Sequence, residues 1–179
     1  MIKKIVSMVA LIALLVPMLI INCYGEEVTS DELIWDVPPE VLTEEEADFM
    51  RANSGKIIFE ENNLQRLDSQ GNFTFEFGTS LSSDNFKITE TSTKISVNSE
   101  LIGAGGSDRT EYSITLYKKV GILWVSQGTA KFDVGASQNA TWSNLTKDGT
   151  YYIYMSTPKV ASSGKYIKGT GKISNFELL

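Results

Sequence analysis

The stretch Thr141-Trp142-Ser143-Asn144-Leu145-Thr146-Lys147-Asp148-Gly149-Thr150-Tyr151-Tyr152-Ile153-Tyr154-Met155 decides the fold. A polar strand end runs into a Lys-Asp-Gly turn, and a strand dense in tyrosine leaves it. Leu145, Asp148, Gly149 and Tyr151 stand in the order of a tyrosine corner, in which a tyrosine hydroxyl bonds back to backbone a few residues upstream in a β-sandwich. Gly149 is expected to supply the positive φ of a tight corner, and Asp148 to hydrogen-bond its local backbone. Beyond the corner, Tyr151, Ile153 and Met155 fall on one face and Tyr152 and Tyr154 on the other. With the first set turned inward, two tyrosines stand side by side on the outer face of a sheet. Such aromatics also serve simply to cover a sheet.

Working outward, period-two alternation dominates from residue 73 onward. Phe73, Phe75 and Phe77 alternate with Thr74 and Glu76, and Ile95 and Val97 with Ser96 and Asn98. Tyr112, Ile114 and Leu116 alternate with Ser113, Thr115 and Tyr117, and Ala130, Phe132 and Val134 with Lys131 and Asp133. Strands with one buried and one wet face read this way. Clusters such as Ser82-Ser83-Asp84-Asn85 and Val120-Gly121 separate them. About nine strands joined by short turns predict an all-β, antiparallel two-sheet β-sandwich, jelly-roll or immunoglobulin-like, over 72–179. The glycines of Gly169-Thr170-Gly171 are expected to mark bulges or close backbone approach.

The remainder of the chain differs in kind. Residues 1–25 have the form of a secretory signal peptide, with Lys3 and Lys4, an apolar run from Ile5 to Ile21, and small residues before a cut after Gly25. The lysine pair and long apolar run resemble a bacterial leader of Gram-positive type, and the domain is expected to be secreted or at the cell surface. Retention of the leader as an anchor and lipidation at Cys23 are the competing readings, and the membrane enters as a partner only through them. Residues 26–71 form an acidic arm: ten acidic and no basic side chains lie between 26 and 50. Thr43-Glu44-Glu45-Glu46 is a capping box that predicts a short helix over 44–52, with Gly55 placed to end it.

Composition removes whole classes of chemistry. There is no histidine, and the single cysteine is Cys23 in the leader. A chain beginning at Glu26 has no cysteine nucleophile, no Ser-His-Asp triad, no Cys or His metal site and no disulfide. Asp84, Glu90, Glu100, Asp108, Glu111 and Asp133 show no spacing that singles out a glycosidase pair, so no catalytic residue and no enzyme activity are expected. Asp84 and Asp108 could supply oxygens to calcium, though without EF-hand spacing. No other cofactor is implied. Basic residues are scattered, which argues against nucleic acid.

The segments Ser113-Ile114-Thr115-Leu116-Tyr117, Trp142-Ser143-Asn144-Leu145 and Asp148-Gly149-Thr150-Tyr151-Tyr152-Ile153 resemble small bacterial exported β-sandwich modules, the pre-peptidase C-terminal type among them, and immunoglobulin-like and jelly-roll domains at large. The resemblance implies an accessory domain without a catalytic motif. Two functions are expected from the residues. The first is an exported, non-catalytic binding or cell-surface module that recognises a glycan or protein through the aromatics Tyr117, Tyr152 and Tyr154. The second is a secreted effector, a small toxin or inhibitor, whose acidic arm docks a partner or is maskable.

Overall fold

The computed structural model describes residues 38, 40–59, 70–103, 111–157 and 165–179. The leader with Cys23, most of the acidic stretch before residue 38, and Asp108 lie outside the described residues.

The described elements are β1 (Val41–Thr43), α1 (Glu44–Ala52), β2 (Gly55–Lys56), β3 (Ile58–Phe59), β4 (Gln70–Phe77), β5 (Ser80–Ser82), β6 (Phe86–Ile88), β7 (Ser92–Ile102), β8 (Glu111–Val120), β9 (Leu123–Asp133), β10 (Ser137–Ser143), β11 (Gly149–Ser156), β12 (Tyr166–Ser174) and β13 (Phe176–Leu178). They form an all-β sandwich of two sheets. One sheet runs β1-β9-β8-β11, and β11 is then flanked by β5 with β2 along one half and by β6 with β13 along the other. Ser83 bridges the break between these halves, its hydroxyl accepting from the Ile153 N–H at 2.9 Å. The second sheet runs β10-β7-β12-β4-β3.

The topology settles the choice between jelly roll and immunoglobulin fold. The β8–β9 hairpin is the centre of a long antiparallel ribbon. Outward from it, β7 pairs with β10, β5 and β6 pair with β11, and β4 pairs with β12. Successive rungs of this ribbon alternate between the two sheets. That winding is a jelly roll.

Alternation decides what is buried between the sheets. Phe73, Phe75 and Phe77 of β4, Ile95 and Val97 of β7, Tyr112, Ile114 and Leu116 of β8, and Tyr151, Ile153 and Met155 of β11 all point into the main core. Gly169 and Gly171 of β12 also face inward, paired with Phe75 and Phe73 of β4. The two phenylalanine rings lie over the glycines, in space a side chain would need. The expectation of bulges or close backbone approach is met only in part: the registers run through without a bulge, and a backbone atom, the Asn98 carbonyl oxygen, is among the nearest neighbours only at Gly169.

At the corner, the Tyr151 hydroxyl accepts from the Thr146 N–H at 2.8 Å and donates to the Thr146 carbonyl at 3.0 Å. Leu145 is buried in the core beneath it. The expected backbone roles differ in one respect. Asp148 carries the positive φ, at 58°, and Gly149 does not. Gly149 is needed for space: a Cβ there would come within 2.9 Å of both the Thr146 oxygen and the Tyr151 ring.

The arm expected to end at residue 71 enters the sandwich much earlier. β1 pairs with β9, β2 with β5 and β3 with β4. Leu42, Ala47, Met50 and Ile57 are buried. Between β1 and β2, Thr43 caps α1 as its capping box predicts. Its Oγ1 accepts from the Glu46 N–H at 3.2 Å, and Glu46 Oε2 accepts from the Thr43 N–H at 2.7 Å. The helix closes on Asn53, whose N–H donates to the Phe49 carbonyl, rather than on Gly55.

Candidate functional site

The outer faces of the two sheets differ in chemistry. On the first sheet, Tyr152 and Tyr154 of β11 and Tyr117 of β8 point away from the core, on the face that the alternation assigns them. They are not presented to solvent. Leu42, Ala47 and Met50 pack on them from β1 and α1, and all three tyrosines are buried. This corrects the expectation of an open aromatic strip. The segment that sequence reading places in an arm supplies the cover.

Trp124 joins this face because of a bulge. In β9 it has the same parity as Phe132, which lies in the main core. The β8–β9 register shifts between Thr115 and Tyr117, so that Thr115 opposes Thr129 and Tyr117 opposes Ser126. The extra residue on β9 reverses the alternation and turns Trp124 outward. Gly128 permits the bulge with a φ of 115°, and the Trp142 indole N–H donates to its carbonyl at 3.0 Å. Tyr117 and Tyr152 then stack with ring centroids 5.0 Å apart, and Trp124 meets Tyr152 edge-on at 4.8 Å. Burial pushes the Tyr117 and Tyr152 hydroxyls well above the ordinary tyrosine range, the Arg51 guanidinium opposing the rise at Tyr152, and burial raises the Tyr154 hydroxyl too.

The outer face of the second sheet is open. Cross-strand registers arrange its side chains in rows. Glu76, Lys168 and Glu100 form one row. Ile58, Thr74, Thr170, Asn98 and Ser137 form the next. Asn72, Lys172, Ser96 and Asn139 form a third. Two hollows of about 470 and 600 Å³ lie along this face. Asn98 and Thr170 line both, so they join as one trough across β4, β12 and β7. Across β4, β12 and β7 its middle row carries hydroxyl and carboxamide groups, each able to donate and accept hydrogen bonds, with the exposed Ile58 of β3 at one end. Only the Lys168 row contains carboxylates; Lys172 has none beside it in the register. Sequence reading did not single out this face, though the alternate Thr, Asn and Ser of the relevant strands are its signal.

Of the calcium candidates, Asp84 is paired with Lys56 at 2.8 Å and Asp108 is outside the described residues. Among the described residues no three acidic, cysteine or histidine side chains gather to hold a metal. No helix of the described residues is long and apolar enough to cross a membrane.

The chain is thus a jelly-roll β-sandwich with one covered and one open sheet face. No protein-family model matches it, and no curated protein matches it in sequence. Among solved structures it is similar to a periplasmic inhibitor of g-type lysozyme from Aeromonas hydrophila, at 13% identity, 69% coverage of this chain, 96% of that chain and a TM-score of 0.40. It is also similar to a carbohydrate-binding module of the β-sandwich superfamily, at 6% identity, 69% and 52% coverage and a TM-score of 0.37. A module solved with β-1,4-galactotriose shows 13% identity, 87% and 99% coverage and a TM-score of 0.32.

Proposed function

We propose that this protein is an exported, non-catalytic binding module that takes a glycan along the open face of its five-stranded sheet. The observation that carries this reading is the polar trough centred on Asn98 and Thr170. Sugar hydroxyls both donate and accept hydrogen bonds, and so do the Thr, Ser and Asn side chains that line the trough. The strands β4, β12 and β7 that carry the middle of the trough are paired on both sides, which holds the rows in place before a ligand arrives. The carboxylates in the trough, Glu76 and Glu100, stand on either side of Lys168 instead of facing one another across a cleft, which favours binding over acid–base chemistry. Export rests on the leader read from the sequence.

The test is a glycan array followed by titration of any hit, with wild type beside the Asn98→Ala, Thr170→Ala double variant. Both positions are on a solvent-facing sheet surface, so the variant should unfold at nearly the wild-type temperature. Loss of at least tenfold in affinity is the expected result. Glycan binding that survives the double variant would move the site elsewhere, and an array with no hit would reject the glycan.

A further inference from the structure

The cover on the aromatic face is weakly built. Helix α1 has nine residues, and a helix that short is marginal without tertiary support. It buries only Ala47 and Met50, while its Phe49 remains 45% exposed. Side-chain ties to the sandwich body among the described residues of α1 and the turn after it are Ser54 Oγ to Ser82 Oγ at 2.7 Å, Arg51 to Asn85, and Lys119 to Glu44 at 3.0 Å; ahead of the helix, the three residues of β1 pair with β9 and bury Leu42.

What lies beneath has the makings of a cation site. The Arg51 guanidinium carbon sits 5.2 Å from the ring centroids of both Trp124 and Tyr152, within the range of cation–π attraction. Its Nη1 donates to Asn85 Oδ1 at 2.9 Å, so the sandwich body supplies an acceptor beside the rings. The Trp124 indole N–H and the Tyr152 hydroxyl are buried with no hydrogen-bond partner among the described residues. Buried donors left unpaired are costly, and phenylalanine would fill a purely structural patch without that cost. An occupant carrying backbone carbonyls would satisfy them.

We propose that residues 41–52 are a displaceable strap over a latent docking face formed by Tyr117, Trp124, Tyr152 and Tyr154, and that the face receives an arginine-bearing segment of a partner polypeptide, for which Arg51 is the resident stand-in. A guanidinium fits better than an ammonium because it can lie against both rings while donating in its plane to Asn85. Displacing the strap also takes Glu44 and Asp48 away with Arg51. Lys119 then loses its carboxylate, so the partner segment should bring an acidic residue as well. This inference is independent of the trough on the opposite sheet.

The test uses the full chain and a fluorescein-labelled peptide that copies residues 40–53, followed by anisotropy. In wild type the tethered strap competes at a high effective concentration, so the peptide should bind weakly. Met50→Ala removes packing between strap and face and should bind it at least tenfold more tightly. A peptide with citrulline in place of Arg51, neutral and nearly isosteric, should lose at least tenfold against the same variant. Equal affinity of Met50→Ala and wild type, or of the two peptides, would overturn the proposal. Should Met50→Ala fail to fold, hydrogen exchange of the wild type decides. Amides of 44–52 should exchange at least a hundredfold faster than those of β8 and β11; exchange at the same rate as those strands would show a strap that opens only with the whole fold, and would also overturn it.

Discussion

Replacing Tyr151 by phenylalanine isolates the hydroxyl that closes the corner. The ring is fully buried and stays in place. What is lost is one bond accepted from the Thr146 N–H and one donated to the Thr146 carbonyl, at 2.8 and 3.0 Å. A typical intramolecular hydrogen bond contributes about 1 kcal/mol net, so the pair is worth about 2 kcal/mol. Two features reduce the loss. Thr146 is exposed, so water can reach its freed groups, and its carbonyl still accepts from the Gly149 N–H at 3.1 Å. The expected destabilisation is therefore about 1–2 kcal/mol, or about 3–6 °C in Tm for a domain of this size. Tyr151→Ala also opens a cavity in the core and should cost about 3–5 kcal/mol. Urea denaturation followed by circular dichroism reads both values. A Tyr151→Phe variant as stable as wild type would show that the corner bond is incidental to the fold; one that lost as much as Tyr151→Ala would show that the ring, too, depends on it.

Stability should also fall steeply in alkali. Burial pushes the Tyr112 hydroxyl up to about 12, with the nearby Ser99 hydroxyl offsetting part of the rise, and it raises Tyr117, Tyr151, Tyr152 and Tyr154 too. A raised tyrosine keeps its proton when folded but loses it near pH 10 when unfolded. Its contribution is thus complete below pH 10 and is lost as pH rises through the folded value, and Tyr112 alone withdraws about 3 kcal/mol between pH 10 and 12. Urea midpoints from pH 8 to 11 should hold steady and then drop, with a shallower drop in Tyr112→Phe; an unchanged slope in that variant would count against the burial argument. In β12, Gly169→Ala should destabilise more than Gly171→Ala. The nearest atoms to a Cβ at Gly171 are all of the Phe73 ring, a side chain that must shift within its buried aromatic cluster, at a cost of about 1–2 kcal/mol. At Gly169 a Cβ also meets the Asn98 backbone carbonyl, which cannot shift, so about 3 kcal/mol is expected. Thermal melts of the two variants check the order, and the reverse order would refute it.

Much of this architecture is legible in the sequence because its signals are local. Inward and outward residues of β4, β7, β8 and β11 follow from alternation alone. The capping box at Thr43 and the corner at Tyr151 depend on contacts three and five residues apart, a range the sequence displays directly. Three features depend on longer distances. The bulge that turns Trp124 outward appears in the sequence as one glycine among fourteen, and nothing local distinguishes it. The docking of α1 on Tyr152 joins residues about a hundred positions apart in the chain. Its acidic surroundings suggest a solvated segment, and the buried pair Ala47 and Met50 is too small a stripe to announce a packing face. The trough is built from rows across strands, so it exists only once the pairing of β4, β12 and β7 is known.

The same alternation gives the two sheets opposite needs, and this bears on both sites. Threonine, serine, asparagine and lysine on the outer face of the five-stranded sheet are compatible with water, so that face requires no cover and none of the described residues covers it. Three tyrosines and a tryptophan on the other outer face bury large apolar area when covered and would leave an extended apolar patch when bare. A strap over that face therefore contributes solubility to the free protein whatever else it does. The choice between a permanent cover and a removable one then turns on how well the strap is built for the face. A permanent cover would be expected to place apolar side chains on the rings and to satisfy their polar atoms. Here a guanidinium lies over the rings of both Trp124 and Tyr152, and the indole N–H and phenol beneath it have no hydrogen-bond partner among the described residues. The fit is that of a substitute occupant, while the trough on the opposite face stays free to bind whether the strap is on or off.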